Sequence, residues 1–151
     1  RFSQLEVIAS MQALHEREPT TLWHQKVPEI EWPTAFAWKS LINSGATLVF
    51  GSDWPIVSCN CLKGMERATG RKPWKPGMPD QHLDRNQALA AFTSSAARAE
   101  YAENIKGEIR PGMLADLAVL TGDLRGIDAG FEGIRILHTI NGGKVVYSNG
   151  K

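Results

Sequence analysis

Residues 46–54, ATLVFGSDW, are the most informative part of this chain. Their apolar half, bounded by Gly45 and Gly51, predicts a short buried β-strand. Asp53 then falls at or just beyond the carboxyl end of that strand, where α/β proteins and (β/α)8 barrels place catalytic groups and metal ligands. Asp53 is therefore a candidate metal ligand or proton acceptor for a metal-bound water. The alternative is a carboxylate that caps the following turn.

The preceding segment completes a βαβ unit. Residues 5–11, LEVIASM, predict an earlier strand that ends near Gln12 and His15. Pro33 begins a predicted helix that continues through Ile42 and stops at Gly45, since proline suits a first helical turn and glycine a helix end. Strand, helix and strand in this order predict two parallel strands.

The chain after Asp53 predicts helices separated by a long loop. A short helix is expected at about residues 62–69, and a loop with three prolines at residues 71–81. A loop of this length is more often functional than accidental. Asp84 and Gln87 form a capping-box pattern that opens the next helix. Residues 93–95, TSS, break it and start a second short helix through Tyr101.

From about Gly107 the pattern changes to β-structure. Pro111-Gly112 predicts a type II turn, residues 117–120 a buried strand, and residues 134–140 a second strand. Asn141-Gly142, between two β-rich runs, predicts a hairpin into residues 144–147. The C-terminal part is therefore predicted to be an antiparallel unit, distinct from the α/β part before it.

Composition excludes several classes of protein. With 17 Lys+Arg against 16 Asp+Glu, net charge favours no nucleic-acid partner. No apolar run approaches the roughly 20 residues that cross a bilayer, and the N-terminus lacks the pattern of a signal peptide. Cys59 and Cys61 are too close together for a disulfide framework, which predicts reduced thiols in a cytoplasmic protein. A metal site at this pair lacks a second Cys or His pair.

Five motifs, in order along the chain, resemble the C-terminal part of the metal-dependent amidohydrolases. They are VIASMQALH at 7–15, FGSDWP at 50–55, ALAAFTSSAA at 88–97, GEIRPGMLADL at 107–117 and TINGGKVVY at 139–147. The first two are similar to the seventh and eighth barrel strands of that family, and the last two to its accessory β-sandwich. The resemblance is to the amidohydrolase-3 group of YtcJ-like proteins and N-substituted formamide deformylases.

The resemblance implies both a fold and an activity. Residues 1–104 would form the C-terminal end of a (β/α)8 TIM barrel, about its last two strands and the following helices. Residues 105–151 would form the C-terminal strands of the composite β-sandwich. The implied activity is metal-dependent hydrolysis of non-peptide C–N bonds in small amide- or formamide-type substrates, with zinc as the expected metal.

Site residues follow from the same resemblance. Asp53 matches the family residue that binds the metal and shuttles the proton of the hydrolytic water. His15, Trp54 and Arg71 are expected on the substrate side. Each has an alternative: a structural histidine, a core aromatic at the barrel rim and a solvent-exposed arginine. For the loop tryptophans Trp23, Trp32 and Trp74 the sequence leaves two roles open, anchoring or substrate contact.

The departures from the family pattern are as important as the matches. The other family ligands, an H-x-H pair, a carboxylate or lysine and two further histidines, do not occur in this chain. Two strands cannot close a barrel, so we expect a C-terminal fragment that is inactive alone and holds zinc poorly. It should need a second copy of itself or a missing N-terminal portion. The alternative functions are a non-catalytic truncated remnant and a self-associating α/β binding module.

Overall fold

A computed structural model describes residues 1–17, 23–126, 131 and 133–150, with the backbone alone at Arg17, Trp23 and His24. Its strands are β1 (Ala9–Gln12), β2 (Leu48–Gly51), β3 (Leu117–Leu120), β4 (Ile136–Asn141) and β5 (Lys144–Ser148). Its α-helices are α1 (Trp23–Lys26), α2 (Trp38–Asn43), α3 (Cys61–Gly70), α4 (Arg85–Phe92) and α5 (Ser94–Ala99). Short 3-10 helices cover Ala13–Arg17 and Glu29–Thr34. Among the described helices, none combines the length and apolar character that a bilayer span requires.

Strands β1 and β2 pair in parallel, with Ala9 opposite Leu48 and Gln12 opposite Gly51, which confirms the predicted βαβ unit. The first strand is shorter than predicted. Residues 2–6 form turns instead, in which the Val7 amide donates to the Phe2 carbonyl at 2.9 Å. Glu6 has φ +52, a left-handed conformation that no strand accepts.

The helix between these strands begins later than predicted. Pro33 lies inside the 3-10 helix Glu29–Thr34, and Phe36 has φ +49, which separates that helix from α2. Helix α2 therefore begins at Trp38. Its end agrees with the sequence, since Gly45 has φ +83, a conformation that glycine adopts without steric cost.

The hydrophobic core lies between the parallel pair and helices α2, α3 and α4. Trp38 is fully buried, and its ring meets Phe50 edge-on with centroids 5.4 Å apart. Phe50 in turn lies 5.4 Å from Phe92 of α4. Helix α3 approaches closely because Gly64 has no side chain; a Cβ there would lie 2.5 Å from Phe92 Cζ. The predicted capping box forms, since the Asp84 side chain accepts from the Gln87 amide at 2.8 Å.

The C-terminal strands form an antiparallel sheet in the order β3-β4-β5. Its hairpin pairs Asn141 with Lys144, and Gly142 and Gly143 have φ +55 and +79, as a type I′ turn requires. The predicted type II turn also forms, with the Met113 amide donating to the Arg110 carbonyl at 3.2 Å. The prediction that residues 117–120 are buried is wrong, because they are exposed or only half-buried.

Candidate active site

The carboxyl ends of β1 and β2 bring two predicted site residues to one edge of the parallel pair. Gln12 lies opposite Gly51, so the segments that follow both strands leave from the same edge. His15 follows β1 in the 3-10 helix Ala13–Arg17, and Asp53 follows β2 in a turn. Parallel pairing thus places a carboxylate and an imidazole at the edge where α/β enzymes carry their chemistry.

The Asp53 side chain is exposed and is not used to hold its own turn. The Ser52 hydroxyl accepts from the Trp54 amide at 3.2 Å, and the Asp53 carbonyl accepts from the Ile56 amide at 2.9 Å. Within the part of the chain that the structure describes, the Asp53 carboxylate has no hydrogen bond or ion pair. Among the described residues the Asp53 carboxylate therefore does not cap this turn, and it is exposed to solvent.

Trp54 is 69% exposed, so its alternative as a core aromatic is wrong. It borders an open cavity of about 500 Å³. The lining residues of this cavity are Leu14, Trp54, Pro55, Ile56, Val57, Ser58 and Arg67. A smaller cavity of about 190 Å³ shares Leu14 and Ser58 with it and reaches Ser52. Asp53, His15 and Arg71 line neither of these two cavities.

His15 is half-buried, and its Nε2 atom is buried without a hydrogen-bond partner among the described residues. A buried nitrogen of this kind costs free energy unless a ligand or a further part of the protein satisfies it. The position after β1 and the unsatisfied nitrogen both keep His15 among the candidate site residues.

Arg71 is 4% exposed, which makes its alternative as a solvent-exposed arginine wrong. Its guanidinium lies 4.6 Å from the ring centroid of Trp74 and 5.5 Å from that of Trp38. Nη2 donates to the Ala35 carbonyl at 3.3 Å. These contacts hold Arg71 in the interior, stacked on two aromatic rings.

A buried carboxylate that the sequence patterns did not predict follows His15 directly. Glu16 is 2% exposed; its Oε1 accepts from Trp74 Nε1 at 2.5 Å, and its Oε2 lies 3.7 Å from Arg67 Nη1. Trp74 also packs edge-on against Trp32, with centroids 6.4 Å apart. Trp32 and Trp74 are therefore anchoring residues, whereas the side chain of Trp23 lies outside the described part. The only feature of the sequence that could have pointed to Glu16 is its position directly after the candidate residue His15.

The two cysteines are unbridged, as predicted, and both line the smaller cavity. Although Cys61 is exposed as a whole residue, burial of its sulfur raises the pKa of the thiol.

The remaining histidines with described side chains have local partners. His82 Nδ1 lies 2.7 Å from Asp80 Oδ2, and His138 Nδ1 lies 2.6 Å from Ser148 Oγ across the β4–β5 pair.

The described residues do not fit a complete zinc centre. A carboxylate oxygen and an imidazole nitrogen are both donors that zinc accepts. However, no three His, Cys, Asp or Glu side chains of the described segments come close enough to share an ion. Structural and catalytic zinc sites use at least three protein ligands. Asp53 and His15 can therefore supply only part of such a site.

Comparison with known proteins identifies relatives over most of the chain. Residues 1–147 match the Amidohydro_3 model, described as the amidohydrolase family. The chain is 32% identical over 151 residues to LONG AFTER FAR-RED 3 of Arabidopsis thaliana, and this alignment covers 97% of the chain and 26% of that protein. It is 36% identical over 120 residues to YtcJ of Bacillus subtilis strain 168, named as a candidate amidohydrolase, covering 76% of the chain and 23% of YtcJ. The chain thus spans about a quarter of the length of these relatives.

Two solved structures resemble the fold. An uncharacterized metal-dependent hydrolase from Pyrococcus furiosus superimposes with a TM-score of 0.70 at 25% identity, covering 83% of this chain and 25% of that one. An amidohydrolase from Thermotoga maritima MSB8 superimposes with a TM-score of 0.57 at 20% identity, covering 78% of this chain and 26% of that one. At 20% identity, the similarity to the Thermotoga maritima protein concerns the fold alone.

Proposed function

We propose, because this chain belongs to the amidohydrolase family, that it forms part of a metal-dependent hydrolase of non-peptide C–N bonds. The substrates would be small amide- or formamide-type molecules. In the proposed architecture, residues 1–104 are the C-terminal end of a (β/α)8 TIM barrel, and residues 105–151 are C-terminal strands of a composite β-sandwich. The similarity to a metal-dependent hydrolase of Pyrococcus furiosus supports this proposal.

One observation carries the catalytic part of the proposal: the Asp53 carboxylate is exposed at the carboxyl edge of β2 and has no partner in the described part of the chain. Such a group is available to take a proton from the hydrolytic water and to return it to the leaving nitrogen. A carboxylate already bound in a turn would be much less available for this transfer.

The remaining site residues take proposed roles that follow their positions. His15 and Trp54 are proposed to face the substrate, His15 through its unsatisfied Nε2 and Trp54 as an exposed wall of the larger cavity. Arg71 is proposed to support the substrate side indirectly, because its stacking on Trp74 helps to hold the loop that begins at Arg71.

Zinc is the proposed metal, with Asp53 as one of its ligands, but the described residues do not complete a site for it. We therefore propose that the remaining ligands come from outside this chain and that the chain alone retains zinc poorly. The two free thiols also favour a reducing compartment, and the cytoplasm is the proposed location.

Hydrolysis assays on N-substituted formamides and simple amides test this function. With added zinc, the 151-residue chain should show no more turnover than its Asp53→Asn variant. In a longer protein that contains this chain and supplies the remaining ligands, turnover should appear. Asp53→Asn should then lower kcat by about 10²–10⁴-fold, the range for a lost acid–base group.

A matched control is Asp123→Asn, which makes the same change at an exposed carboxylate after β3. It should leave turnover unchanged. Turnover by the 151-residue chain that Asp53→Asn abolishes would show that the chain is active alone. An extended protein that is active but indifferent to Asp53→Asn would remove Asp53 from catalysis.

A non-catalytic, self-associating module is the second candidate, and the exposed sheet favours it. Every residue of β5 is exposed, including Val145, Val146 and Tyr147. An apolar edge strand of this kind is a template for pairing with another chain. Sedimentation velocity and thermal melting distinguish the candidates. A monomer at all protein concentrations that also melts in one sharp transition would count against self-association.

A further inference from the structure

The buried polar side chains of the described residues converge on one loop. Residues 71–81 contain no helix or strand. Yet the buried polar or charged residues are Glu16, Arg71 and Gln81; two of these begin and end the loop, and the third binds its middle. Burying such groups costs free energy unless they are hydrogen-bonded or paired, so each one here must be accounted for.

Both ends of the loop are fixed to the core. At its start, Arg71 stacks against Trp38 and Trp74 and donates to the Ala35 carbonyl. At its end, Gln81 makes two bonds to Ser40 in the first turn of α2. Its Oε1 accepts from the Ser40 amide at 2.9 Å, and its Nε2 donates to the Ser40 hydroxyl at 2.7 Å.

The middle of the loop is fixed by Trp74. Its indole Nε1 donates to Glu16 Oε1 at 2.5 Å, and its ring packs edge-on against Phe36, with centroids 6.2 Å apart. Around this anchor the loop is exposed at Lys72, Pro73 and the stretch 75–77. A charge-assisted hydrogen bond in a dry environment is among the stronger contacts a protein makes.

Glu16 links this loop to the candidate active site. It follows His15 directly in the 3-10 helix after β1. Its second oxygen lies 3.7 Å from Arg67 Nη1, and Arg67 lines the cavity that Trp54 borders. One carboxylate thus contacts both the loop and a lining residue of the cavity, from the position beside His15.

We propose that Glu16 is a positioning residue, which fixes loop 71–81 through Trp74 against the segment that carries His15. The loop is then held in one position against that segment and is not a lid that closes over substrate. This inference rests on the proposed function in one respect: it takes the edge formed by the carboxyl ends of β1 and β2 as the place where substrate binds. The link between Glu16 and Trp74 stands on their hydrogen bond, and the link to His15 stands on the position of Glu16 directly after it in the same 3-10 helix.

The test is nuclear magnetic resonance on the 151-residue chain, where the Trp74 indole N–H signal is assigned with Trp74→Phe and the His15 ring with His15→Gln. In Glu16→Ala, solvent exchange of the Trp74 indole proton should accelerate by about tenfold or more, as expected for a lost hydrogen bond to a charged group. The His15 ring signals should move at the same time. Glu16→Gln should restore most of the protection, because its amide oxygen still accepts from the indole.

Lys72→Gln is the matched control, since Lys72 is an exposed cation of the same loop. It should leave both signals in place. An unchanged indole signal in Glu16→Ala would overturn the proposal. So would changes spread equally over β3–β5, because they would indicate general destabilisation. If Glu16→Ala fails to fold, Trp74→Phe removes the same hydrogen bond while keeping most of the ring, and the His15 signals must still move.

No turnover is measured in this experiment, so its result is independent of the hydrolase assay. A failed hydrolase proposal with a confirmed Glu16–Trp74–His15 coupling would leave a preorganised binding edge. An active enzyme with an unchanged His15 signal would leave the hydrolase and remove the positioning role.

Discussion

The parallel pair β1–β2 and the antiparallel sheet β3–β5 use the same kind of secondary structure in opposite environments. In β2, Leu48, Val49 and Phe50 are each at most 6% exposed, whereas every residue of β5 is exposed. Strand β2 packs against helices α2, α4 and α5, whereas β1 is exposed at Ser10 and only half-buried at Met11 and Gln12. The antiparallel sheet depends on its ladders and its hairpin turn, and the described residues cover it only in part.

This difference separates what stabilises the chain from what the chain offers to other molecules. Burial of apolar surface is the dominant favourable term in folding, and it is concentrated around Trp38 and Phe50. The candidate site lies at the edge of this well-packed region. The exposed sheet contributes less burial and presents Val145, Val146 and Tyr147 as a surface that another chain or another part of the protein could cover.

The largest expected effect comes from truncating one buried side chain beside the parallel pair, and it is compared with truncation of one exposed side chain in the antiparallel sheet. Phe50→Ala should lower the free energy of unfolding by about 3–5 kcal/mol, because it leaves a cavity beside Trp38 and Phe92. Val146→Ala in β5 should cost less than about 1 kcal/mol, since that side chain is already 64% exposed. Urea denaturation followed by far-UV circular dichroism measures both.

Equal losses in the two variants would break the comparison. They would mean that β5 is covered in solution, and a loss for Val146→Ala that shrinks on dilution would identify a second copy of the chain as the cover.

A smaller effect tests how tightly the buried region is packed. Gly64→Ala should lower the free energy of unfolding by about 1–2 kcal/mol, because the new Cβ meets Phe92 Cζ at 2.5 Å. The clash should outweigh the gain of about 1 kcal/mol that alanine brings to a helix. Gly70→Ala, in the same helix with nothing within 4 Å of the new Cβ, should be neutral or stabilising. The same urea titrations measure both, and a stabilised Gly64→Ala would show that Phe92 moves aside.

Elements specified by local patterns could be predicted from the sequence. The alternation of strand and helix gave the parallel pairing of β1 and β2, and the Asp84–Gln87 spacing gave the start of α4. Glycines with positive φ fixed the end of α2 and the β4–β5 turn. The place of Asp53 just after β2 could be predicted because the end of that strand is visible in the sequence.

Features that depend on distant contacts could not be predicted. Residues 5–8, LEVI, look like a strand in the sequence. In the structure residues 5 and 6 lie in turns, and strand pairing begins only at Ala9. Glu16 and Trp74 are 58 positions apart, and neither carries a local pattern that names the other. Arg71 is buried for the same reason, since its ring partners Trp38 and Trp74 come together only in the folded chain.

The smallest expected effect concerns Asp80, an exposed residue of the otherwise well-packed region. The backbone hydrogen bond from His82, and then its side-chain hydrogen bond, lower the pKa of the Asp80 carboxyl. The stabilisation is therefore present above the unfolded-state pKa of about 3.9 and is lost as pH falls through the lower folded-state pKa. Asp80→Asn should cost less than about 0.5 kcal/mol at pH 7, because interactions of an exposed carboxylate are screened by solvent.

Urea titrations of Asp80→Asn and the unmodified chain at pH 7 and at pH 2–3 measure this difference, which should shrink at the acidic end. A loss as large as that of Gly64→Ala would contradict the expectation. A small loss would show that exposure of the individual side chain sets its contribution, whichever of the two regions it belongs to, since Asp80 and Phe50 lie in the same region with opposite burial.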